Sequence, residues 1–214
     1  MNHYFKWTGN PFVDNGIAAI LTFCNKKEPE KITKKDIERM CDILYVLYIQ
    51  DKWVKDLYTA LSGNTHVTAP RAAGKKSLKL KYLKEELSKL KNDITYCGKE
   101  GNCIACGSRD SNNPINRTSI PLSGFMNNNF LSYNYVGADY CSACTLASQF
   151  MPLVGYKCGN KVMILQSNNI NVILIWAKQL IKKVKEQIST GNYSGIYDNG
   201  YSNPKNALFH ITTD

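Results

Sequence analysis

Cys103-Ile-Ala-Cys106 and Cys141-Ser-Ala-Cys144 are the residues whose type and spacing point to defined chemistry. A Cys-x-x-Cys pair on a tight turn aims two sulfurs at one point, and two such turns can close a tetrahedron of thiolates around Zn²⁺. Four cysteine ligands leave no open position for water or substrate, so such a centre pins distant segments together and does no chemistry itself. The expectation is one structural Zn²⁺ held by Cys103, Cys106, Cys141 and Cys144. A disulfide pair, an iron–sulfur cluster and coincidentally spaced buried cysteines are the competing readings. Cys97 and Cys158 lie near enough to be spare ligands, but their spacings form no third knuckle, while Cys24 and Cys41 fall on apolar helix faces.

Catalytic constellations are missing. His3, His66 and His210 stand far apart, and no phosphate-cradling glycine loop with a lysine occurs, so the chain is not expected to be an enzyme. Lys plus Arg outnumber Asp plus Glu by 27 to 17, a formal charge of +10. That balance points to a polyanion, most often nucleic acid, as partner, against the alternative of a basic but idle surface. Two places could supply the contacts. Arg71, Lys75, Lys76, Lys79 and Lys81, on a basic helix and the loop before it, suit phosphates, although a solvated helix face explains them as well. Arg109, Asn127, Asn128 and Asn129, in or beside the excursion between the knuckles, offer groups that pair with base edges, although asparagines in loops more often make turns.

The elements that must position these residues are mostly helical. Thr8 to Asn15 reads as a loop with Asp14 as cap of a first helix carrying Ile17, Ile20, Leu21 and Cys24. Thr33-Lys-Lys-Asp36 resembles a capping box opening a second helix, with Ile37, Met40, Cys41, Leu44, Leu47 and Tyr48 as its apolar stripe. The phase shifts at Gln50-Asp51-Lys52, and Trp53, Val54, Leu57, Tyr58 and Leu61 continue in a new register. Leu80, Leu83, Leu87 and Leu90 make a narrow stripe on the basic helix. Thr145 to Met151 is an apolar helical turn closed by Pro152, and Lys161–Leu165 is the best strand candidate. Ile170 to Ile188 keeps strict helical phase until Gly191. The 43% hydrophobic content suits a globular protein, and no apolar run approaches the roughly 18 to 20 residues that cross a bilayer. With no secretory signal at the start, a reducing cytoplasm is expected. The fold class is α+β, mainly helical: one domain with a four-cysteine zinc-finger module that carries a long loop-rich insert. Its parts are a helical stretch over 1–96, the zinc module over 97–152, and a strand plus long helix with a polar tail over 153–214.

The ordered set of motifs carries more than any one of them. Trp7-Thr-Gly-Asn-Pro-Phe-Val-Asp14, Lys52-Trp53, the two Cys-x-x-Cys pairs, Ile120-Pro-Leu-Ser-Gly124 and Ala147-Ser-Gln-Phe-Met-Pro-Leu153 together resemble the CXXC-CXXC CRISPR-associated family, the large subunit of type I-B Cascade complexes. The resemblance covers nearly the whole chain. It implies a non-enzymatic subunit that sits at the crRNA 5′ handle beside other Cascade subunits, contacts the protospacer-adjacent motif in target double-stranded DNA, and helps open that duplex. Family members generally continue into a further helical part, so the resemblance is to their amino-terminal portion. A free-standing zinc-containing DNA-binding regulator is the alternative. It would need a helix presenting Arg or Asn to bases, where the basic helix offers lysines. A metal-dependent nuclease would need an open coordination site and a general base, which a four-cysteine set lacks.

Overall fold

A computed structural model of the chain describes residues 2–61, 65, 67, 68, 72–111, 138–198, 200–203, 205 and 206. Among these, the elements are α1 (Pro11–Phe23), α2 (Lys34–Leu47), α3 (Asp51–Ala60), α4 (Lys76–Asn92), α5 (Ser142–Phe150), β1 (Tyr156–Cys158), β2 (Lys161–Met163), α6 (Ile170–Thr190) and β3 (Tyr197–Asp198), with short 3₁₀ turns at Pro29–Lys31 and Met151–Val154. The described residues are mainly helical, as the periodicities imply, with one small sheet.

Helix α1 is the axis of the core. Val13, Ile17, Ala18, Ala19, Ile20 and Leu21 are all at 0% exposure, which requires neighbours on every side. Those neighbours are α5, α6 and the Met151–Val154 turn. The crossing with α5 depends on Gly16, where a Cβ would stand 1.8 Å from the carbonyl oxygen of Ala147. The start of α1 differs from the sequence expectation. Asn10 is the cap, its side chain accepting from the amides of Phe12 and Val13, because Pro11 takes the first helical position, where a missing N–H costs nothing. Asp14 lies inside the first turn, 1% exposed, and reaches back: its carboxylate accepts from the amide and hydroxyl of Thr8 and from the amide of Gly9, each at 2.8 Å.

The capping box at Thr33 and Asp36 forms as expected, and the whole anticipated stripe of α2 is buried. In α3, Trp53 and Leu57 are buried and Tyr58 points to solvent at 62% exposure. Three buried aromatics have partners for their polar ends: Tyr48 donates to the Gln149 carbonyl at 2.6 Å, Trp176 to the Val154 carbonyl at 2.9 Å and Trp53 to the Gln187 side chain at 3.0 Å. The sheet has the order β2-β1-β3, β1 running antiparallel to β2 and parallel to β3. Asp56 fastens β3 from across the core, receiving the Ile196 amide at 3.0 Å and the Lys157 ammonium at 2.7 Å. One buried cluster runs continuously from Phe5 through the helices and the four cysteines to Ile196.

Candidate metal centre

The first knuckle is a turn in which the Gly107 amide donates to the Cys103 carbonyl at 2.8 Å. Gly107 continues it at φ 58, a conformation most side chains resist. The turn is fixed from below, since the Cys103 amide donates to Arg109 O at 3.0 Å and the Gly98 amide to Ser108 O at 2.8 Å. The second knuckle is the start of α5: Cys141 is the residue before its first turn and Cys144 lies within that turn. Thiolates there meet the positive end of the helix dipole. The Ile104 amide donates to Asp139 O at 2.8 Å, and the Cys141 amide to Cys103 Sγ at 3.3 Å, so backbone bonds join the knuckles before any ion does. Beside them, Asn10 donates to the Tyr140 hydroxyl at 2.7 Å, which ties the start of α1 to the second knuckle.

The four sulfurs lie within 4.8 Å of one another and all four residues are buried, a set positioned to hold a metal ion. Cys106 Sγ and Cys141 Sγ are 3.8 Å apart. A tetrahedron with metal–sulfur bonds of about 2.3 Å has sulfur–sulfur edges of about 3.8 Å, so the set has the size of a single-ion centre. All eight cysteines of the chain are free thiols. Four thiols packed this closely compete for their protons. Hydrogen bonds from Cys103, Cys141 and Cys144 hold the Cys106 thiol far down. Cys103 is raised by Cys106 but lowered more by Cys141 and Cys144, to about 6. Their hydrogen bonds to Cys103 and Cys106 push Cys141 and Cys144 well up. A divalent ion removes that conflict by taking the place of the protons.

Other expected site residues are placed differently. Arg109 is 6% exposed and turned onto the cysteines, not to solvent. Its Nη1 donates to Cys106 Sγ and Cys141 Sγ at 3.8 Å, and its Nη2 to Cys97 Sγ at 2.9 Å and to the Tyr4 carbonyl. Burial alone would depress this guanidinium, and the thiols of Cys141, Cys97 and Cys106 more than reverse that, so it is held above its ordinary value. In this arrangement a base-reading role for Arg109 gives way to one at the metal centre. Nothing in the sequence marks this enclosure, since an arginine three residues after Cys106 can equally turn outward. Lys79 is 3% exposed, with its ammonium 3.8 Å from Asp51. The reason is phase: Lys79 stands four residues before Leu83 and eight before Leu87, on the inward face of α4. Lys75, Lys76 and Lys81 are exposed along that helix, Lys76 donating to Gln50 at 3.0 Å. Arg71, Asn127, Asn128 and Asn129 lie outside the described residues.

Among comparisons with known proteins, a family model described as CRISPR-associated protein (Cas_CXXC_CXXC) matches residues 96–156. Residues 96–156, less than a third of the chain, are similar to this CRISPR-associated family. The Cas CXXC-CXXC segment takes in both knuckles, Arg109 and all of α5. No curated protein and no solved structure matches the chain. No helix among the described residues is long and apolar enough to cross a membrane.

Proposed function

We propose that the chain is the amino-terminal part of a non-catalytic large subunit of a type I-B Cascade surveillance complex, working with other Cascade subunits, the crRNA 5′ handle and target double-stranded DNA in antiviral defence. The observation that carries this reading is the match to a CRISPR-associated family over the segment whose four cysteines assemble at single-ion size. The ion is Zn²⁺, whose filled d shell accepts a tetrahedron of thiolates without redox chemistry and whose role is to fix the two knuckles together. Cys103, Cys106, Cys141 and Cys144 hold it. Their rigid frame fixes both ends of residues 107–140, which is what a segment inspecting a short DNA motif needs, because base discrimination is lost when the reading loop wanders. The exposed lysines Lys75, Lys76 and Lys81 contribute phosphate contacts that position the duplex.

The test is reconstitution. The chain is co-expressed with crRNA and the remaining Cascade subunits, the complex is isolated, and its binding is compared on duplexes with and without the protospacer-adjacent motif. Incorporation at a fixed stoichiometry together with motif-dependent binding is the expected result. A chain that stays outside the assembly yet binds a particular duplex by itself would replace this reading with a free-standing zinc-containing regulator.

A further inference from the structure

Arg109 is enclosed although it carries a permanent charge. A guanidinium has five N–H donors. Here Nε gives to the Thr95 carbonyl at 2.9 Å, Nη1 to Cys106 and Cys141, and Nη2 to Tyr4 and Cys97, so none remains for an outside ligand. No carboxylate pairs with it among the described residues. A buried cation without a counter-charge is strongly unfavourable, and the groups able to supply one are the sulfurs. Two of the sulfurs it touches belong to the metal set, one from each knuckle, which places the positive charge across the join between the two pairs. Four thiolates and one divalent ion sum to a formal charge of about −2, a load that a buried site must offset from its surroundings.

We propose that Arg109 is the built-in counter-charge of the four-cysteine centre, offsetting part of its negative charge and thereby setting how tightly the ion is held and how slowly its sulfurs react. This rests on the metal reading above. At 8% exposure Cys106 is the most open of the four sulfur-bearing residues, and Arg109 covers it while drawing electron density from its sulfur. The same guanidinium holds the Thr95 and Tyr4 carbonyls, so the charge that steadies the ion also anchors the segments leading into and lying against the module.

The experiment compares the wild-type protein with Arg109→Met, Arg109→Lys and, as a control for loss of an exposed charge, Lys182→Met. Zinc content is measured first by elemental analysis. Affinity is then measured by competition with a chromophoric chelator, and thiolate reactivity as the rate of zinc release by N-ethylmaleimide. Arg109→Met should lower affinity by about 10- to 100-fold, as loss of a group supporting metal ligands does, and should speed release. Arg109→Lys should stay within about threefold of wild type, since lysine keeps the charge and loses only the fork. Lys182→Met should match wild type. A methionine variant that holds zinc as tightly as wild type overturns the proposal, and so does a lysine variant that falls as far as the methionine one. Should Arg109→Met fail to fold, Arg109→Lys decides alone by whether it retains near-wild-type affinity. Wild-type protein that takes up no metal would instead remove the metal reading, and the counter-charge with it.

Discussion

Gly16 and Ala147 meet backbone to backbone, and the spacing leaves no room for a methyl group. The obstacle is a carbonyl in a helix, which cannot swing aside as a flexible side chain would, so relief requires α1 and α5 to move apart. Gly16→Ala should therefore destabilise the fold by about 1–3 kcal/mol or more, although alanine is the better helix former. At this chain length each kcal/mol lowers the melting temperature by about 2–4 °C. Calorimetry reads the effect, and an unchanged midpoint would mean that the two helices do not meet there. Single residues also show where sequence reasoning stopped. The pattern of four cysteines was fully legible because their spacing is local to two turns. The role of Arg109 was not, because the same residue type serves a base edge and a buried thiolate, and only the enclosure distinguishes them. Asp14 was expected as the cap of α1, and Pro11 at the first helical position makes Asn10 the cap instead.

On α4, the wet and dry faces are set by phase. Lys79 sits in line with Leu83 and Leu87, while Lys75, Lys76 and Lys81 face solvent. Replacing those three by alanine should weaken nucleic-acid binding and flatten its salt dependence, by about 0.9 in the log–log slope for each duplex phosphate no longer neutralised. Titrations at several salt concentrations measure this. An unaltered slope would move phosphate binding to another surface. Helices of this length were readable from their apolar stripes, α6 above all, with its left-handed stop at Gly191. The strands β1 and β3 were not, because three- and two-residue strands carry no periodicity of their own. They exist through pairing, and β3 is further held by Asp56, a residue more than a hundred positions away in sequence.

In the molecule as a whole, the four cysteines are part of the continuous core and not an appendage to it. Loss of the proposed ion should consequently be felt well beyond the knuckles. Structural zinc contributes on the order of 10 kcal/mol to folding, against a total stability of about 5–15 kcal/mol for ordinary domains. A strong chelator, or Cys103→Ser or Cys144→Ser, should therefore abolish the cooperative thermal transition, as followed by circular dichroism. A transition that persists at the same temperature after complete metal removal would show that the core stands without the centre. The amino-terminal segment has a separate consequence. The His3 carbonyl receives the Cys97 amide, the Tyr4 carbonyl receives Arg109, and Phe5 is 2% exposed. On the ribosome these residues emerge roughly a hundred positions ahead of their partners. At about 5–20 residues per second they wait some 5 to 20 seconds before they can dock. Cys141 and Cys144 emerge later still, so the knuckles close only once residue 144 is made, and a nascent chain interrupted before residue 141 carries the Cys103 and Cys106 thiols with no second pair to join.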